Sequence, residues 1–266
     1  MRFSLAVADS DAIVMTVTTE KEGTESCRKN HFSTAEFDGA DAIAVELSDL
    51  PPEQRTKENY QRLMTGVHLP FMFILYRSDR WLKDDDEARQ SYLLEAAEAG
   101  AEVIDVMGDL FDPSPFELTR KPEAIEKQMR LIDEIHARGA KVIMSSHMSN
   151  DYRTAEQVLE HLQQQSARGA DILKIVTGVN NEEQLAEAIR TTMLLNRELE
   201  KPFVHLCNGT YSRLHRFIGP KLGVSIAFAV HDYTAPSFLY TQPPIRSLKQ
   251  VLSAIPWHID DVQEKK

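Results

Sequence analysis

The chain has 266 residues, 42% of them hydrophobic, and a formal charge of -11 from 30 Lys and Arg against 41 Asp and Glu. That length allows one large domain with a substantial core, and the acidic balance argues against a nucleic-acid or anionic-membrane partner. Cys27 and Cys207 lie far apart without metal-ligand spacing, so neither a disulfide framework nor a zinc site is indicated, and a reducing cytoplasm fits.

Residues 1–12 read as a short N-terminal extension whose apolar patch, Phe3 to Val7, is too short for a signal-peptide core. No apolar run is long enough to span a bilayer. Short, β-suited apolar runs then recur at 13–17, 42–45, 70–76, 103–107, 142–144, 171–176, 203–206 and 224–230. Helical stretches are expected at 24–37, 52–64, 84–99, 122–138, 155–168, 182–199, 212–217 and 245–255. Strict alternation implies parallel strands joined by helical crossovers, and eight units predict a (β/α)8 TIM barrel as a single domain. No glycine-rich dinucleotide fingerprint or phosphate loop appears.

In such a barrel, chemistry sits at the carboxyl ends of the strands and in the loops that follow them. Glu46 closes the second strand, Arg77 follows the third, His147 ends the fifth, Lys174 sits in the sixth and Arg213 lies in the loop after the seventh. A lysine inside a strand as apolar as 171–176 must be paired or lose its proton. A neutral amine attacks ketones to form imines, so Lys174 is a candidate Schiff-base nucleophile; the alternative is a structural ion pair. His147 on the neighbouring strand end could take and return protons near neutral pH. Two arginine forks beside them suit a carboxylate-bearing substrate, while Glu46 could pair with Arg77 or hold a substrate hydroxyl; a surface salt bridge is the alternative for each.

Two other features invite simpler readings. The run Asp84-Asp85-Asp86-Glu87 is expected to be the solvated first turn of a helix, where negative charge suits the dipole, and no metal is assigned to it. Trp81 fits either a lid over the barrel mouth or an exposed aromatic.

From about 13 to 255 the landmarks resemble type I 3-dehydroquinate dehydratase in order and spacing: Glu46, Arg77-Ser78, MSSH ending at His147, GADILKI containing Lys174, and GTYSRL containing Arg213. The resemblance implies a (β/α)8 barrel, often a homodimer, that needs no metal or nucleotide cofactor. It also implies syn loss of water from 3-dehydroquinate through a lysine imine, giving 3-dehydroshikimate in the shikimate pathway. By position, Lys174 would form the imine and His147 would move the protons. Arg213 would bind the substrate carboxylate, Glu46 and Arg77 the hydroxylated side of the ring, and Thr234 would keep the hydroxyl of the loop after the eighth strand.

The chain departs from the family at named places. Ser48 stands where an arginine is usual, Trp81 lies in a loop that usually carries glutamate and glycines, and Phe238 replaces a glutamine. The family's histidine-orienting glutamate has no clear counterpart, with Asp79 the one stand-in in that loop. Two further readings follow: a divergent Schiff-base lyase or aldolase-like enzyme acting on another carboxylated ketone, or a non-catalytic paralogue that binds such a metabolite.

Overall fold

The computed structural model describes residues 12–18, 35–231 and 241–262. Its strands are β1 (Ala12–Thr18), β2 (Ala42–Glu46), β3 (Phe71–Ile74), β4 (Val103–Met107), β5 (Lys141–Met148), β6 (Ile172–Gly178), β7 (Phe203–Asn208) and β8 (Ile226–Ala229). Between and after them lie α1 (Lys57–Met64), α2 (Asp86–Ala99), α3 (Pro122–Ala137), α4 (Ala155–Ala167), α5 (Glu182–Glu198), α6 (Ser212–Ile218) and α7 (Ile245–Ala254). Of the expected helix 24–37, residues 35–37 fall in a described helical turn, 35–38, and the remainder lies outside the described residues. So does 1–11 of the expected N-terminal extension, while Ala12 already belongs to β1.

Every strand pair is parallel, in the order β7-β6-β5-β4-β3-β2-β1-β8. The ring meets itself where Ser225 N–H donates to Phe203 O at 2.9 Å and Phe203 N–H donates to Ser225 Oγ at 3.3 Å. These contacts complete the (β/α)8 barrel. Strands β3, β4, β6 and β8 are buried throughout, which is why they read as apolar runs, broken only at Asp105 in β4 and at Lys174 and Thr177 in β6, and not as alternating patterns.

Alternation nevertheless decides which residues face the barrel axis. Met72 and Ile74 of β3, Val103 of β4, Ile143 of β5, Ile172 and Val176 of β6, Val204 and Leu206 of β7 and Phe228 of β8 pack together inside. The neighbours of these residues in sequence face outward and join a larger core beneath the helices, with Val106, Met144, Leu173 and Ile175 against Leu131, Val158 and Leu162. Tyr76, Asp105, Ser145, His147 and Lys174 share the inward parity. The barrel interior is therefore apolar toward the amino ends of its strands, while toward the carboxyl ends these polar groups lie beside the apolar Val176 and Leu206.

The local signals explain most element ends. Thr154 and Gln157 form a reciprocal capping box at the start of α4, and Gly169, at φ +98°, supplies the left-handed residue after it. The helix expected at 52–64 begins only at Lys57, because Pro51 and Pro52 lead into a short 3-10 turn and Thr56 caps the helix proper. Strand β5 runs to Met148, well past the apolar run that predicted it, since Ser145 and His147 point into the barrel and Ser146 binds helix α4.

Candidate active site

Lys174 lies in the middle of β6 with only 4% of its surface exposed. Its Nζ donates to Tyr76 Oη at 2.7 Å and to Asp105 Oδ2 at 3.1 Å, and it sits 4.8 Å from the centre of the Phe228 ring. Asp105 is fully buried as a side chain. Its Oδ2 also accepts from Tyr76 Oη at 2.6 Å, and its Oδ1 accepts a short hydrogen bond from Ser145 Oγ. The lysine thus does form the ion pair that the sequence left open, and the pair opens on the carboxyl end of the barrel. A buried amine tolerates this position because two hydrogen-bond acceptors, one of them a carboxylate, replace its water. Burial, reinforced by the Asp105 charge, holds the Tyr76 hydroxyl well above the usual phenol range, so it remains protonated and donates.

His147 follows two residues after Ser145 on β5, with its side chain 26% exposed. Its Nδ1 lies 3.1 Å from Glu117 Oε2, which also accepts the His147 backbone N–H at 2.6 Å. A carboxylate partner requires Nδ1 to carry the hydrogen, leaving Nε2 as the basic nitrogen. The ring meets Tyr76 edge-on, with centroids 4.7 Å apart. Tyr76 therefore touches both the amine and the imidazole.

Glu117 comes from the loop between β4 and α3, and it corrects the expectation for Asp79. Asp79 is buried elsewhere: it pairs with the fully buried Arg55 and accepts the N–H groups of Trp81 at 2.9 Å and Leu82 at 2.6 Å. The orienting carboxylate is supplied from a different strand end. Glu117 holds φ +45°, an uncommon conformation for a residue with a Cβ. Its carbonyl accepts Ser146 Oγ at 2.6 Å, and Ser146 is held in turn by His161 at 2.8 Å and Gln165 at 3.1 Å. Gln165 also brackets Lys174, donating to its carbonyl at 3.0 Å and accepting its N–H at 3.1 Å. One helix face thus fixes the backbone on both sides of the site.

The other predicted residues occupy varied surroundings. Glu46 is half-buried and accepts Ser48 N–H at 3.1 Å and Ser48 Oγ at 2.6 Å, so the serine that replaces the expected arginine is tied back onto the glutamate. The Arg77 guanidinium bonds Asp109 Oδ1 at 2.6 Å, Asp86 Oδ2 at 2.7 Å and Asp109 O at 2.8 Å. Arg213 is exposed in the first turn of α6. Thr234 and Phe238 lie outside the described residues.

The acidic run behaves as expected at Asp85, which caps α2 by accepting Ala88 N–H at 2.9 Å, but not at Asp86. Asp86 is buried and pairs with both Arg77 and Arg89. Trp81 is half-buried, with the Arg55 guanidinium 5.2 Å and the Arg80 guanidinium 4.0 Å from its ring centre.

Sequence reading missed Tyr76, Asp105, Ser145 and Glu117. For Asp105 there was a signal: an acid interrupting the apolar run VIDVM presents the same burial problem as Lys174, and each solves the other's. Tyr76 continues the inward parity of Met72 and Ile74. Glu117 left no signal, because a loop residue with positive φ belongs to no period.

The family model described as type I 3-dehydroquinase matches residues 12–256. Among curated proteins, a 3-dehydroquinate dehydratase of Klebsiella pneumoniae (strain 342) is 26% identical over 227 residues, 82% of this chain and 83% of that protein. One of Alkaliphilus oremlandii is 29% identical over 123 residues, 46% of this chain, and the match spans 48% of that relative's length. Of solved structures, the 3-dehydroquinate dehydratase of Geobacillus kaustophilus superposes with a TM-score of 0.73 at 16% identity, covering 96% of this chain and 93% of that one. The type I enzyme of Clostridium difficile, carrying a covalently modified comenic acid, gives 0.75 at 17% identity with 92% of each chain covered.

Proposed function

Because the chain belongs to the type I 3-dehydroquinase family, we propose that it is a carbon-oxygen lyase that removes water from 3-dehydroquinate through an imine on Lys174, giving 3-dehydroshikimate. The observation that carries this reading is that Lys174 and His147, on adjacent strands, share one wall of the barrel mouth through Tyr76, at 2.7 Å from the amine and 4.7 Å between ring centres. One ketone can reach both.

In this reading the Lys174 amine replaces the ketone oxygen of the substrate. The resulting iminium draws electrons from the adjacent carbon, so its proton becomes acidic enough for His147 Nε2 to remove it. The same imidazole then protonates the departing hydroxyl on that face. Glu117 acts as a positioning residue: it fixes the tautomer and stabilises the imidazolium between the two transfers. The exposed Arg213 takes the substrate carboxylate, and Glu46 and Thr234 take hydroxyls. Arg77, whose fork is engaged by Asp86 and Asp109, flanks the hydroxylated side of the ring in this reading.

A small carboxylated ketone as substrate, with neither nucleic acid nor membrane as partner, agrees with the charge of -11. We extend the reading to a homodimeric, cytoplasmic enzyme without metal or nucleotide. A second reading, a lyase for a less hydroxylated keto acid, is favoured by the capture of Ser48 by Glu46 and of Arg77 by Asp86 and Asp109.

The test is to mix the protein with 3-dehydroquinate, follow the conjugated product by ultraviolet absorbance, and repeat with borohydride and mass detection. Turnover with a trapped adduct is expected. An adduct without turnover would transfer the assignment to the second reading, and a melting shift without either would leave only binding.

A further inference from the structure

Two polar side chains, Tyr76 and Asp105, bond the Lys174 amine, with Ser145 behind them on Asp105, and the elimination described above uses none of the three. The geometry points to a proton relay through Tyr76 to Asp105 that makes Tyr76 a catalytic residue of imine formation, separate from His147. This inference rests on the imine chemistry proposed for Lys174.

An ion-paired lysine cannot attack a carbonyl until it gives up a proton. Two exits exist: the direct bond to Asp105 Oδ2 at 3.1 Å, and a two-step path of shorter bonds in which Lys174 donates to Tyr76 Oη at 2.7 Å while Tyr76 donates to Asp105 Oδ2 at 2.6 Å. The second is a continuous donor chain already aligned in one direction. Ser145, hydrogen-bonded to Asp105 Oδ1, keeps Oδ2 facing the tyrosine. The phenol is suited to pass protons without retaining charge, since burial resists its ionised form. No hydrogen bond joins His147 to Lys174 among the described residues, and the His147 imidazole is oriented by Glu117 toward its own task.

The balance of atoms is complete. The ammonium passes one proton along the chain, leaving a neutral amine and a protonated Asp105. Its lone pair forms the N–C bond while the carbonyl electrons move to oxygen, and a second nitrogen proton passes through Tyr76 to that oxygen, giving the carbinolamine. The relay then reverses: Asp105 returns its proton through Tyr76 to the hydroxyl, the C–O bond breaks, water leaves, and the nitrogen lone pair forms the C=N bond. Two of the three ammonium protons end in water. The iminium keeps one positive charge beside a restored Asp105 carboxylate, so the buried acid is not left uncompensated at the end. Hydrolysis of the product imine retraces the same path.

Tyr76→Phe keeps the ring that packs on His147 and removes only the hydroxyl. The rate of reductive trapping at Lys174 is measured by peptide mass with cyanoborohydride, using 3-dehydroquinate and, separately, formaldehyde, which needs no substrate recognition. The relay predicts trapping about a hundredfold slower with both carbonyls, at least about tenfold. It also predicts that the primary isotope effect expected in wild-type turnover from deuterium on the carbon beside the ketone falls toward unity in Tyr76→Phe because imine formation has become limiting. A merely structural hydroxyl would not shift that balance. Slowing of less than about tenfold with either carbonyl, with near-ultraviolet circular dichroism showing an intact fold, overturns the relay. If wild-type Lys174 traps formaldehyde but not 3-dehydroquinate, the substrate assignment fails and the relay is still read from the formaldehyde arm. Silence of wild-type Lys174 toward both removes the amine and the relay together.

Discussion

Two buried polar clusters lie on opposite sides of the same sheet, and only one of them faces the barrel mouth. Inside the barrel, Lys174, Asp105, Tyr76 and Ser145 combine an ion pair with a donor chain that ends at a reactive amine. Behind β7, His205 faces outward and shares Thr192 of α5 with His215 of α6, at 2.9 and 2.7 Å. Thr192 gives its own hydrogen to Ala188 O at 2.9 Å, so both imidazoles must donate to it, and Thr177 lies 3.1 Å from the other nitrogen of His205. Burial keeps both rings neutral, and Nδ1 of His215 is buried without a hydrogen-bond partner.

Desolvation pushes His205 down to about 3 and holds His215 well below the usual histidine range, yet neither touches the site. His161 is likewise pushed down to about 4, largely by burial, and it serves to hold Ser146. The histidine assigned to chemistry is instead the partly exposed one with a carboxylate at its back. In the proposed reading the strongly shifted histidines belong to the scaffold, and the one beside a carboxylate at the barrel mouth belongs to the chemistry.

The comparison breaks most sharply at Lys174. Lys174→Ala should abolish the borohydride adduct and reduce turnover to background; an unchanged adduct would remove the lysine from its role. His147→Ala should slow dehydration by roughly 10²–10⁴-fold, the usual range for a lost acid-base group, while leaving the adduct in place. Full activity in that variant would return His147 to the scaffold class. Glu117→Gln removes a charge-assisted bond of about 1.5–3 kcal/mol, which corresponds to roughly a tenfold to hundredfold loss in kcat with little change in KM. A change confined to KM would make Glu117 a substrate contact.

The scaffold cluster should answer to pH in stability and not in kcat. The sign follows from its depressed folded-state values: below about pH 6.5 the unfolded chain binds protons that His205 and His161 refuse until about pH 3 and 4. Thermal stability should therefore fall as pH drops from 7 toward 4, each such histidine adding about 1.4 kcal/mol per pH unit to the slope. His205→Gln should flatten the decline, measured by melting across a pH series. An unchanged slope would show that these rings titrate no differently after unfolding.

The same contrast explains what could be read from the sequence. The strands were visible in the sequence because a barrel strand is buried on both faces, as Ala42–Val45 of β2 and Ile172–Gly178 of β6 are. Lys174 and His147 stood out as polar residues where an apolar run emerges. Glu117 did not, because it reaches His147 from a loop whose path depends on Arg168 bonding Thr119 O at 2.6 Å and Gln128 bonding Met107 O at 2.8 Å. The partners of Arg77, Asp86 and Asp109, were not legible either, because they come from a helix start and a loop that only the folded chain brings together. Sequence period locates the wall of the site, while the contacts between loops decide which groups on that wall remain available.

The central claim, that Lys174 and His147 act in turn on one ketone, is tested most directly by the mass of the adduct trapped on His147→Ala with 3-dehydroquinate. The account predicts attachment at Lys174 with the elements of water still present, against a dehydrated component in the wild-type protein. An adduct on another lysine, or a fully dehydrated adduct formed at the wild-type rate without His147, would contradict it.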